Sequence, residues 1–108
     1  MEKIKSFTDL DSWRVGHEFV LAVYKTTQAF PAVERFALAN QLQRAAVGIT
    51  SNIAEGFSRA SKKEKIQFYS IALGSLTEVQ NQLLIARDLG YTQHDDFQNL
   101  AGPVHPCA

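Results

Sequence analysis

Cysteine is nearly absent. The single one, Cys107, lies beside the C-terminus, so no internal disulfide can form and a reducing compartment fits. No charge of either sign is in excess: eleven basic side chains face eleven acidic ones, which removes any global attraction to nucleic acid or anionic lipid. No apolar run reaches the length of a membrane span, and the opening MEKIKSFTDLDSW has no signal-peptide core. The sequence therefore predicts a cytoplasmic protein with no membrane partner. Histidines are few and scattered, at 17, 94 and 105, with no cysteine cluster near them, which argues against a metal centre. Alternation of the strand type is missing, and with it any glycine-rich phosphate loop or nucleophile elbow that a strand would support. No catalytic residue, cofactor or metal is expected, and the chain does not read as an enzyme.

What remains is ordinary globular material. With 108 residues, 45% hydrophobic and 20% charged, the composition predicts one domain over residues 1–108, with a core about 8–100 and an irregular tail at 101–108. Charge is unevenly placed. Residues 34–65 carry six basic and three acidic groups, while 66–108 carry one and four. That is a mild polarity, read first as solvated faces and more sharply as a patch for nucleic acid or a partner.

Helical periodicity runs through most of the chain. Thr8 or Asp9 is a candidate cap for a first helix carrying Trp13, Phe19, Val20, Val23, Tyr24 and Thr27 to about Phe30, closed by Pro31. A second helix is predicted from about Ala32 to Gly56, with the turn in Gly56–Ala60. Ser61-Lys62-Lys63-Glu64 has the form of a capping box and opens a third helix. That helix carries Phe68, Tyr69, Ala72, Leu73, Leu76, Val79, Leu83 and Ala86 inward and ends at Leu89, with Gly90 as a left-handed cap. Thr92 to Asp95 signals a short fourth helix toward Leu100, before Gly102, Pro103 and Pro106 stop the pattern. The predicted fold is all-α: an antiparallel up-down four-helix bundle with three long helices and a short or truncated fourth.

The stretch from Gln41 to Arg59 carries several patterns at once. Leu38, Leu42, Ala45, Ile49 and Ile53 form a core stripe. Gln41, Arg44, Gly48, Asn52, Glu55 and Arg59 line a polar ribbon beside it, to be a buried network or a binding surface. Phe36, Ala39, Val47, Thr50, Ala54 and Phe57 occupy angles that a solvated helix would give to Lys and Glu. That second apolar flank predicts burial on another side; Phe36, Val47, Thr50, Ala54 and Phe57 are candidate contacts with another subunit, against full burial inside one bundle.

Two constellations bear on chemistry. Glu55 and Glu78 are placed to meet across helices two and three, but Glu55 also stands four residues before Arg59, the favourable orientation for an intrahelical ion pair. The ion pair is the preferred reading. Arg44, Arg59, Lys62, Lys63 and Lys65 form the candidate nucleic-acid patch, suited to phosphate rather than to bases. RNA or DNA is the expected ligand, with an unidentified protein partner as the competing class.

The segments FTDLDSW, VYKTTQAFPAVERFAL, QLQRAAVGITSNIAEGFSRAS and FYSIALGSLTEVQNQLLIARDLGY, over roughly residues 7–91, resemble a four-helix-bundle family. It is the family first associated with reading frames in intervening sequences of bacterial large-subunit ribosomal RNA. The resemblance implies a small cytosolic homopentamer without enzymatic activity, and a more distant likeness to nucleic-acid-binding accessory proteins of diversity-generating retroelements. Gly48 and Thr50 stand where that family commonly has serine and proline in SIPSNIAEG, and GPVHPCA breaks a fourth helix that normally runs well past Leu100. A broken fourth helix would leave apolar surface on helices one and three uncovered.

Overall fold

A computed structural model of the chain describes residues 4–92. Three helices dominate it: α1 (Asp11–Thr27), α2 (Leu38–Ser58) and α3 (Lys62–Asp88). At 1.5 Å per residue, the 27 residues of α3 make a rod of about 40 Å. Single 3-10 turns at Phe7–Asp9 and Ala32–Glu34 precede α1 and α2, and no strand occurs among the described residues. Both α1 and α3 pack on α2, and no Cα of α1 comes within 8 Å of a Cα of α3. The predicted fourth helix and the tail, with His94, His105 and Cys107, fall outside the described residues.

The order follows from burial. Leu42 and Val23 on α2 and α1, and Leu83 and Val79 on α3, are the largest side chains fully withdrawn from solvent. The predicted stripe of α2 is inside as expected: Leu42, Ala45, Ile49 and Ile53 are buried and Leu38 packs against them. Ala39, Ala46 and Thr50 are buried as well, so α2 is covered on two sides by helices of its own chain. That explains why its 21 residues carry only Arg44 and Glu55 as charges.

Boundaries depart from the periodicity in four places, one of them the end of α1, which stops at Thr27 and not at about Phe30. α2 begins at Leu38 and not near Ala32, because Ala37 adopts φ −123°, ψ −108° and interrupts the helix. Ala37 has no side chain to cap with, and the Glu34 carboxylate accepts the Leu38 N–H instead, at 3.2 Å. At the start of α1, neither Thr8 nor Asp9 is the cap. Leu10 holds that position, and Asp9 reaches backwards to accept the Lys5 and Ser6 N–H groups at 2.9 and 3.1 Å. These two donors hold the Asp9 carboxyl below its usual range. Finally, α2 runs through Gly56 to Ser58, so the turn is only Arg59 to Ser61.

The other end of α3 matches its expectation. Gly90 has φ +79°, its N–H donates to the Arg87 carbonyl, and the Tyr91 N–H donates to the Ala86 carbonyl, the two bonds of a Schellman ending. Tyr91 then packs on Phe30, with ring centroids 5.3 Å apart, and ties α3 to the α1–α2 connection. Ser61 caps α3 by accepting the Glu64 N–H at 3.1 Å. The reciprocal half differs from a capping box: the Glu64 carboxylate accepts the Ser61 hydroxyl, not its backbone N–H.

Candidate nucleic-acid interface

The polar ribbon of α2 borders α3 of the same chain. Gln41 accepts a long bond from the Gln82 amide, at 3.5 Å, and the same amide reaches Glu78 at 3.2 Å. One turn along from Arg44, Gly48 lies so near α3 that a Cβ on it would sit 3.0 Å from the Ser75 hydroxyl. Asn52 returns to its own helix, donating to the Gly48 carbonyl at 2.7 Å. Farther on, a Cβ on Gly56 would sit 2.7 Å from the Tyr69 ring. The ribbon is therefore largely the α2–α3 seam, where small and polar side chains allow two helices to approach closely.

This register separates Glu55 from Glu78. Gln41 sits opposite Gln82 and Gly56 opposite Tyr69, so Glu78 lies beside the stretch near Ala45, about ten residues or 15 Å along the axis from Glu55. Each carboxylate has its own neighbour, Arg59 for Glu55 and Gln82 for Glu78. The carboxylate pair does not form. No group of three or more histidine, cysteine, aspartate or glutamate side chains is placed to hold a metal among the described residues.

Of the five candidate phosphate ligands, two are engaged by the fold. The Lys65 ammonium donates to the Gly56 and Phe57 carbonyls at 3.3 and 2.8 Å, closing the C-terminal end of α2 where the helix dipole favours a cation. Arg59 pairs with Glu55 at 2.9 Å and lies over the Phe68 ring at 4.7 Å. Lys62 and Lys63 are exposed in the first turn of α3, where the helix dipole is positive. Arg44 is exposed too, but 15 residues before Arg59, or about 22 Å along the helix. The patch is thus a cluster at the α2–α3 turn, with Arg44 as an outlying cation.

The second flank of α2 is divided as well. Thr50 is buried against α1: its methyl would lie 3.0 Å from a Cβ on Gly16. Ala39 is buried, Ala54 and Phe57 are half-buried, and Val47 is 38% exposed. Phe36 stands out at 86% exposure, with Val33 at 82% beside it on the α1–α2 connection. Gly48 and Thr50, the two departures from the SIPSNIAEG pattern, thus sit on opposite sides of α2, one facing α3 and one facing α1.

Between α1 and α3 runs an open apolar groove of about 660 Å³, floored by Ile49 and Ile53 and walled by Val15, Phe19, Tyr69 and Leu73. This accounts for Tyr69 and Leu73, which the periodicity places inward and which are 39% and 65% exposed. Sequence reasoning missed the close-approach roles of Gly16, Gly48 and Gly56. Glycines inside otherwise regular helices are the signal that marks them.

No described helix is long and apolar enough to cross a membrane. Comparison with curated proteins gave no match. Residues 8–105 match the family described as 23S rRNA-intervening sequence protein, nearly the whole chain including all three helices. The chain belongs to the 23S rRNA-intervening sequence protein family.

Proposed function

We propose that this protein is a non-enzymatic, self-associating binding protein of the cytoplasm that contacts nucleic acid, RNA foremost, through the α2–α3 turn. The observation that carries this reading is the placement of Lys62 and Lys63. Both are exposed on the first turn of α3, close in sequence to Arg59, and neither has a hydrogen-bond or ion-pair partner among the described residues. Residues 55–65 hold four basic and two acidic side chains, a local excess in a chain that is neutral overall. Such a cluster suits phosphate oxygens and carries no base-reading geometry, so binding would be weak, sequence-tolerant and salt-sensitive. Assembly would multiply it. A ring of copies, the pentamer that the family resemblance implies, presents several clusters to one strand and gains by multivalency.

Titration of a single-stranded RNA and a duplex DNA across salt tests this. Affinity should fall as salt rises, and K62A/K63A should weaken it by at least tenfold in the assembled protein. Binding indifferent to salt or to the double substitution would overturn the reading. Light scattering during size-exclusion chromatography tests self-association, and a monomer at all concentrations would count against it.

A second reading, a protein-interaction scaffold with no nucleic-acid role, is favoured by the exposed Phe36 and Val33 and by the α1–α3 groove. Substitution of Phe36 by serine separates the two: it should impair assembly or partner binding while leaving a monomer's weak RNA contact unchanged.

A further inference from the structure

We propose that Glu55 is an internal competitor for phosphate: it occupies Arg59 and so sets how tightly the α2–α3 turn holds a nucleic-acid backbone. The inference rests on the nucleic-acid reading above and assigns a regulating residue within that site.

Glu55 and Arg59 are one helical turn apart, with the glutamate on the N-terminal side, and their charged atoms are 2.9 Å apart. The guanidinium also lies over the Phe68 ring, with its Cζ 4.7 Å from the ring centroid, a cation–π contact that limits its freedom. Its Nε is buried without an acceptor among the described residues, which leaves the outer nitrogens to carry the recognition. The pair is accessible, with side-chain exposures of 39% for Arg59 and 55% for Glu55. An incoming phosphate can therefore compete for the same nitrogens, and it gains Lys62 and Lys63 that the carboxylate does not reach.

Glu55 also has somewhere to go. It also lines a cleft of about 410 Å³, together with Phe7, Ser51, Ala54 and Ser58 and without Arg59. A rotamer change toward that cleft releases Arg59 without disturbing the α2–α3 seam. While the pair is closed, the turn presents two cations, Lys62 and Lys63, that have no acceptor among the described residues. Once it opens, it presents three, and the carboxylate no longer stands beside the phosphate.

Binding of a single-stranded oligouridylate to wild type, E55Q, R59A, E55Q/R59A and K62A/K63A tests this. E55Q is isosteric and exposed; a matching thermal melt shows that it folds. E55Q should bind about two- to fivefold tighter at low salt, the range expected from releasing one exposed ion pair. Its salt slope should steepen by about 0.7, one additional phosphate contact to single-stranded nucleic acid. R59A should cost the wild type little but should abolish the gain in the E55Q background.

The proposal is overturned if E55Q binds no tighter, if its gain survives R59A, or if R59A costs wild type and E55Q equally. Wild-type binding that K62A/K63A removes while E55Q changes nothing would retain the nucleic-acid reading and eliminate only this role of Glu55. Absence of binding by both wild type and E55Q would eliminate both.

Discussion

Tyr91 donates its hydroxyl hydrogen to the Glu34 carboxylate at 2.8 Å, and the other oxygen of Glu34 accepts the Leu38 N–H. One carboxylate thus joins the end of α3 to the start of α2. The hydrogen bond to Glu34 stabilises the neutral phenol and raises its pKa above the ordinary 10.0, with burial and the negative charge acting in the same direction. A group whose folded pKa is raised contributes stability that is complete below its unfolded value and is lost as pH rises through the folded one. Unfolding midpoints should therefore fall above pH 10, and Y91F should flatten that alkaline limb. Denaturant titrations across pH, with phenolate absorbance followed in parallel, measure both effects.

The acid side has the opposite sign. Asp9 is held below 3.8 chiefly by the Lys5 N–H and then by the Ser6 N–H. Its contribution is present above 3.8 and is lost as pH falls through the lowered value. D9N should remove that part of the acid dependence and loosen the turn before α1, seen as faster amide exchange at Lys5 and Ser6.

Glycine-to-alanine substitutions should sort by position. Gly74 has open space around it on α3, so G74A should stabilise by about 0.5–1 kcal/mol through helix propensity alone. Gly56 has the Tyr69 ring 2.7 Å from any added Cβ, and overpacking there should outweigh propensity and cost about 1–3 kcal/mol. Gly90 is free of neighbours but left-handed, so G90A should cost about 1–2 kcal/mol for its dihedral alone. Thermal melts of the three variants check the order.

Gln82 is 5% exposed, its amide nitrogen donates to Glu78 at 3.2 Å and only at 3.5 Å to Gln41, and its oxygen has no donor among the described residues. Gln41 and Glu78 are both exposed and can turn to water. Q82L should therefore stabilise by about 1 kcal/mol, contrary to the usual cost of disturbing a buried position. Leu83→Ala beside it should cost about 2–5 kcal/mol.

Lys65 and Lys62 should respond differently to the same change. K65A removes the cation from the Gly56 and Phe57 carbonyls and should destabilise by about 1 kcal/mol. K62A should leave the melt unchanged and appear only in the nucleic-acid titration.

Periodicity was enough to place the core stripe of α2 and the Gly90 ending of α3, because both depend on short-range rules. Leu42 must be inside wherever its neighbours at three and four residues are inside, and a glycine after Leu89 needs no tertiary partner to turn. The start of α2 was not legible, since it depends on a carboxylate at Glu34 reaching Leu38 across an irregular Ala37. Nor was the division of the basic patch. Arg44, Arg59, Lys62, Lys63 and Lys65 are alike in sequence, and only the placement of the Gly56 and Phe57 carbonyls shows that Lys65 serves the fold. Thr50 reads as part of an outward flank until Gly16 brings α1 against it.

Among the described residues α1 and α3 pack on α2 rather than on each other, which has a consequence for how the molecule opens. The α2–α3 hairpin is contiguous, closed by a three-residue turn, whereas α1 adheres to one side of α2 through Gly16, Thr27 and their neighbours. Detaching α1 leaves the α2–α3 seam intact, so the first sub-global opening on heating should release α1 as a unit. The bared side of α2, with Ile49, Thr50 and Ile53, is then shaped for α1 of any chain. The ten residues from Gln28 to Ala37 form a tether that allows the helix to be returned to a neighbour, so concentrated protein held near its melting temperature has a built-in route to exchanged dimers.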